Sequence, residues 1–247
     1  MLHGLFTLAW LETKIFVREP MGLVGTLAMP LVVFVVLGRA LGTGARGSVA
    51  APQAPFNVAI LAALLIAVSA ALSLIAIMAI YREGGILKRL RATPLSPLTI
   101  LGAHVVVKLG FTLASLALLM LAGREMFPGS MTPHWAGFAA ALLLSVLSIL
   151  SLGFVIASFV PTARFAQPLG AAVLYPMVVL SGLFFPISAL PPGLGLVAWA
   201  LPTVHGVALM QGIWDGGSWA AHWANVAGLL AFFVVCAAIS ARVFRWE

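Results

Sequence analysis

Polar positions along this chain come as short islands between long apolar runs, and the spacing of those islands predicts the elements. Six runs, at about 20–41, 56–80, 98–122, 135–160, 168–186 and 222–243, are each long enough to cross about 30 Å of hydrocarbon as an α-helix. Ahead of the first, residues 1–19 set Leu2, Leu5, Phe6, Ala9, Trp10, Phe16 and Val17 at helical spacing, with Lys14 and Arg18 interspersed. This pattern predicts an amphipathic helix lying on the membrane surface, the alternative being a ragged start to the first span. Pro20 favours a break between the two. Residues 187–221 are apolar yet broken by Pro191, Pro192, Pro202, Gly193, Gly195, Gly216 and Gly217. They predict short helices dipping into the outer leaflet, where irregular backbone needs protein or water partners. The expected fold is all-α, a single polytopic membrane domain over 1–247 with no internal repeat.

Composition fits the same picture. The 247 residues are 63% hydrophobic and 8% charged, with a mean hydropathy of +1.16, whereas a soluble domain carries roughly a quarter charged residues. The connecting segments are too short for a second folded domain, so soluble catalytic machinery is expected on another polypeptide. A net charge of +7 would suggest nucleic acid in a soluble protein; here the basic residues read as topology signals, and no nucleic-acid partner is expected. With six spans and the N-terminus inside, Lys14, Arg18, Arg82, Lys88, Arg89, Arg91, Arg164, Arg242 and Arg245 collect on the cytoplasmic side, against Arg39, Arg46 and Arg124 outside. Counting Gly193 to Trp214 as a seventh span would move Arg242 and Arg245 outside, so six spans with both termini cytoplasmic fit better. The single cysteine, Cys236, offers neither a disulfide framework nor a thiolate metal site within one chain. Glu12, Lys14, Arg18 and Glu19 interrupt the run where a signal core would continue, so no cleavable signal peptide is expected.

The segment 81–97 is the most informative. It holds Arg82, Lys88, Arg89 and Arg91, four of the thirteen basic residues. Ile86, Leu87 and Leu90 recur at helical spacing beside them, predicting a short amphipathic helix that Pro94 and Pro97 terminate. An ordinary positive-inside loop is the plainer alternative. The run Arg82-Glu83-Gly84-Gly85-Ile86-Leu87-Lys88-Arg89-Leu90-Arg91-Ala92-Thr93-Pro94-Leu95-Ser96 resembles the cytoplasmic loop of type 2 ABC-transporter permeases. A second stretch, Leu180-Ser181-Gly182-Leu183-Phe184-Phe185-Pro186-Ile187-Ser188 with Leu190-Pro191 and Leu201-Pro202, is similar to that family's fifth span and the re-entrant segment after it.

The resemblance implies the transmembrane permease subunit of an ATP-driven exporter, working with two ABC ATPase subunits and a second permease subunit, most simply a homodimer. It implies a coupling helix over Glu83, Gly84, Leu87, Lys88, Arg89, Leu90, Arg91 and Pro94 that docks on the ATPase, with the N-terminal helix near it at the membrane surface. Leu87 and Leu90 would anchor it, Lys88, Arg89 and Arg91 would meet acidic groups or lipid phosphates, and Glu83 would pair with a base or cap the helix start. The sequence has no G-x-x-x-x-G-K-[ST] loop. ATP and Mg are therefore expected on the partner ATPase and no cofactor in this chain, which is not expected to be an enzyme.

Other residues carry competing readings. His104 and Lys108, four apart in the third span, are functional candidates as intramembrane ionisable groups, although Lys108 lies close enough to one end to snorkel. Phe184, Phe185, Trp199 and Trp214 either line a path for an apolar substrate or form an interfacial aromatic belt. His134, His205 and His222 lack metal-ligand spacing, and Glu125 and Asp215 stand isolated, so no metal site is expected. A secondary transporter or channel, the alternative class, would place several charged groups in mid-span, and an intramembrane enzyme would need catalytic pairs. An apolar path suits amphipathic drugs, lipids or lipid-linked glycans; the loop motif looks more like the drug-exporter branch than the polysaccharide branch. The expected location is the cytoplasmic membrane.

Overall fold

The computed structural model describes residues 2–18, 23–42, 57–86, 97–126, 134–160 and 162–243. Every regular element among them is helical. In chain order these are α1 (Leu2–Arg18), a π turn (Val24–Ala28) running into α2 (Met29–Gly42), α3 (Val58–Glu83), α4 (Pro97–Met126), α5 (Trp135–Phe159) and α6 (Ala163–Val179). Then come α7 (Pro192–Trp199), α8 (Pro202–Trp214) and α9 (Trp223–Val243), with single 3₁₀ turns at Ile187–Ala189 and Trp219–His222.

Four helical stretches among the described residues are long and apolar enough to cross a bilayer: α3, α4, α5 and Trp219–Arg242. The pair α7 and α8 is bent by 75° and would make a fifth if it counts as one span. Helix α2 and its π turn are apolar but shorter, and α6 has 17 residues with Pro168 and Pro176 inside it. The Leu180-Ser181-Gly182 stretch, expected within a span over 168–186, is a turn instead. Gly182 there takes a φ of 83°, a left-handed conformation that ends the helix.

Helix α3 is the hub. Its apolar window is 72% buried, against 17% for the last span, and it packs against α2, α4, α5, α6 and α8. Asn57 opens it, its side chain accepting from Ala59 N at 3.0 Å and Ile60 N at 3.3 Å, which satisfies two otherwise unpaired donors. Small residues let the neighbours approach closely, as expected where packing rather than water exclusion joins helices. Gly153 of α5 lies against Ala71 and Leu74, and Gly170 of α6 sits so near Leu72 and Ile75 that a Cβ would come within 2.9 and 3.1 Å of their side chains.

Several hydroxyls inside the bundle are spent on backbone. Pro30 has no N–H to offer the Thr26 carbonyl one turn earlier, the Met29 N–H reaches back to Val24 O, and Ser115 of α4 donates to Thr26 O at 3.1 Å. Ser148 of α5 donates to Leu229 O of α9 at 2.8 Å, and Thr203 of α8 to Met177 O of α6 at 2.8 Å. Helix α1 exposes Phe6, Trp10, Leu11, Ile15 and Val17 together with Lys14 and Arg18, and buries Ala9, Glu12 and Phe16. An outer face that mixes large apolar side chains with two cations, and a carboxylate turned inward, suits a helix at a membrane interface.

Candidate functional site

Three features of the bundle bear on function, and α3 contributes to each. The first is a buried polar cluster where α1, α3 and α4 meet. Glu12 and Phe16 lie one turn apart on α1, and His104 and Lys108 one turn apart on α4, so α1 presents a carboxylate and a ring, and α4 two basic side chains, each on one face. Tyr81 Oη donates to Glu12 Oε1 at 2.5 Å, and His104 Nδ1 lies 3.4 Å from Glu12 Oε2. The Tyr81 and His104 rings meet edge to face at 5.5 Å. Lys108 Nζ donates to Ser73 Oγ at 2.6 Å and sits 4.0 Å from the centre of the Phe16 ring. Glu12, His104 and Lys108 are all under 10% exposed, a depth at which charges persist only when paired and hydrogen-bonded. Lys108, which sequence alone left free to snorkel, is instead drawn inward to Ser73 and Phe16.

The second is a cleft of about 320 Å³ bounded by the π turn and α2, by α3 and by α6. Its walls are mostly apolar, from Met29, Val33, Leu65, Val68 and Leu72, with Thr26, Ser69, Ser73, Gln167 and Tyr175 adding polar groups. Apolar walls carrying a few polar groups are the common lining of small-molecule clefts. Ser73 belongs to both features: it lines the cleft and accepts from Lys108.

The third is the C-terminal end of α3. Arg82 Nη1 donates to Val160 O at 2.9 Å and Ser158 O at 3.4 Å, at the carbonyl end of α5. Its neighbour Glu83 accepts from Ala163 N at 2.9 Å, at the amide end of α6. Thr162, the residue in the N-cap position there, makes no side-chain cap bond. Two adjacent residues of opposite charge thus meet the two helix ends whose dipoles favour them, a cation at a C-terminus and an anion at an N-terminus. Gly84 N closes α3 onto Ile80 O at 2.9 Å, and Gly85 turns the chain away with a φ of 65°.

Glu83 and Gly84 are therefore at the root of the proposed coupling loop, with Glu83 turned toward α6. Leu87, Lys88, Arg89, Leu90, Arg91 and Pro94 lie outside the described residues. Phe184 and Phe185 are exposed on the turn after α6. The Trp199 ring faces His205 at 6.0 Å, while His205 Nε2 lies 3.0 Å from Trp199 O and Nδ1 3.2 Å from Asn225 Oδ1. Trp214 packs edge on against Trp135 at 5.9 Å and Phe138 at 5.3 Å. None of these four aromatic residues lines the α2–α3–α6 cleft. Among the described residues no three His, Cys, Asp or Glu side chains come together as a metal-holding group.

Sequence reading missed Glu12, Ser73 and Tyr81 as site residues, and it did not anticipate where Arg82 binds. Glu12 carried the clearest signal, an acid in an apolar helix with Phe16 one turn on, but nothing local says that its face is the buried one.

A hub of apolar helices among several long enough to cross a bilayer defines a polytopic helical membrane protein. The chain belongs to the ABC-2 type transporter family, whose model matches residues 3–214, and is thus an ABC-type permease. No curated protein matches it.

Proposed function

We propose that this chain is the membrane subunit of an ATP-driven exporter in the cytoplasmic membrane, working as a homodimer with two copies of a separate ABC ATPase. In this reading α2, α3, α4, α5, α6 and α9 are six spans, both termini are cytoplasmic, α1 lies at the inner interface, and α7 and α8 form an outer re-entrant pair. The segment after Glu83 is the coupling helix. An amphipathic molecule, drug, lipid or lipid-linked glycan, uses the α2–α3–α6 cleft as its route.

The observation that carries this reading is the attachment of the loop's root. Because Arg82 and Glu83 bind the facing ends of α5 and α6, a force applied to the segment that follows is delivered to three spans together. Alternating access needs such a rigid contact between two arrangements. One of those spans, α6, forms a wall of the cleft.

The test is reconstitution with the ATPase in vesicles. Reversing the charge of Lys88, Arg89 and Arg91 together should leave ATP hydrolysis measurable while abolishing ATP-driven transport. Unchanged transport in that variant, or full transport in vesicles lacking the ATPase, would overturn the proposal, the latter in favour of a secondary transporter or channel.

A further inference from the structure

We infer that the pocket between α8 and the turn after α6 is a second ligand site, one that takes an apolar molecule carrying a positively charged amine, with Asp215 reading the charge. It is separate from the α2–α3–α6 cleft, so neither reading depends on the other.

The pocket encloses about 410 Å³, inside the range of about 300–1,000 Å³ usual for small-molecule sites. Val204, Val207, Ala208, Gln211 and Asp215 recur at helical spacing, so α8 lends the pocket one face along its length. That face grades from apolar and buried to polar and open: Val204 and Val207 are buried, Ala208 and Gln211 half-buried, and Asp215 exposed. Leu183 and Ile187 add apolar wall from the segment after α6. Ser181, also in the lining and 1% exposed, accepts from Leu183 N at 3.4 Å and donates its hydroxyl proton to no group among the described residues. A ligand oxygen can take that proton.

Asp215 is an anion at the wrong end of its own helix. It is the C-cap residue of α8, where backbone carbonyls already present a negative potential, and α8 has no basic residue in its last turn. Glu83 and Glu125 also lie at helix C-terminal ends, but Arg82 and Arg124 stand directly beside them. The Gln211 amide donates to both Asp215 carboxylate oxygens, at 3.3 and 3.1 Å, from the face that lines the pocket. Being neutral, it orients the carboxylate without cancelling its charge. Among the described residues no basic side chain lines the pocket, and none forms an ion pair with Asp215. The two histidines of this region are placed elsewhere: His205 is bonded to Trp199 O and Asn225, and His222 lies over Gly212 and Gly217. An organic cation in the pocket therefore meets a carboxylate and a helix C-terminus together, and both favour positive charge.

The experiment uses the full chain in phosphatidylcholine nanodiscs, whose lipid carries no net charge, and two fluorescent probes. Dansylcadaverine is an apolar sulfonamide with an ammonium tail, and its N-acetyl derivative is the same molecule without the charge. Ala208→Trp and Ile187→Trp each fill the pocket, from different segments, and measure binding by lipid and other sites. Because Asp215 is exposed, wild type should bind the cation about fivefold more tightly than the acetyl derivative, not more. Asp215→Asn, which keeps an acceptor for Gln211, should bring the two within about twofold by weakening the cation alone. Ser181→Ala should weaken both probes equally, about fivefold. Equal binding of the two probes to wild type, or a preference that survives in Asp215→Asn, overturns the cation selectivity. Wild-type binding no greater than that of the two pocket-filling variants overturns the site itself, and either result leaves the α2–α3–α6 route as it stands.

Discussion

Replacing Glu83 with alanine removes the acceptor that Ala163 N–H meets at 2.9 Å, and the Thr162 side chain does not substitute for it. Loss of an N-cap acceptor costs about 1 kcal/mol, and because Glu83 is exposed its dipole contribution sits at the low end of about 0.3–1 kcal/mol. Arg82→Ala reaches deeper. It strips donors from two carbonyls, one of them on Val160, which is 0% exposed, and a buried acceptor left unpaired costs roughly 1–3 kcal/mol. For a chain of this length that corresponds to a fall in melting temperature of about 2–4 °C per kcal/mol, measurable by thermal unfolding of the purified protein in detergent.

The discriminating variant is the exchange Arg82→Glu with Glu83→Arg. It retains both charges and both hydrogen-bonding side chains but sets an anion against the carbonyl end of α5 and a cation against the amide end of α6. If the clasp works by matching helix dipoles, the exchange must be less stable than the double alanine variant, and it must lower transport per ATP hydrolysed by at least as much. Glu83→Gln, which keeps an acceptor oxygen without the charge, should fall between wild type and Glu83→Ala. An exchange variant as stable and as well coupled as wild type would refute the reasoning.

Other outcomes follow from the same contacts. Glu12→Ala removes the acceptor of the Tyr81 hydroxyl and a close contact of His104 and should destabilise the packing of α1 by roughly 1.5–3 kcal/mol, seen as faster hydrogen exchange along α1. Gly170→Leu forces a branched side chain where a Cβ alone would meet Leu72 at 2.9 Å; overpacking of about 1–3 kcal/mol is expected, read as a lowered melting temperature, with Gly170→Ala milder because Leu72 offers only a flexible end. Ser115→Ala leaves the Thr26 carbonyl without its 3.1 Å donor beside Pro30 and should cost about 1 kcal/mol, measured by the same unfolding assay.

Hydropathy made the helical, membrane-embedded character of the chain and most of its long helices legible before any coordinates. Each residue's transfer from water to hydrocarbon is a property of that residue and its immediate neighbours, so a run such as 58–83 declares itself. The segment read as a loop after Glu83 from its basic residues, glycines and prolines lies, from 87 to 96, outside the described residues. Which faces meet was not legible. Helix α3 is apolar on every side, so no pattern marks the face that takes α5 or the one that opens on the cleft. In lipid an apolar surface gains little by choosing protein over acyl chains, and small residues and scattered polar groups decide the pairing. Ser73 reads as one more serine in an apolar run until α4 brings Lys108 beside it. Arg82 and Glu83 read as a topology charge and a loop acid until the ends of α5 and α6, some eighty residues on, arrive at their side chains. By itself the sequence determined what the chain is dissolved in and where most of its long helices lie. Tertiary structure decided which buried charges face one another, because that depends on positions in space that no local free energy encodes.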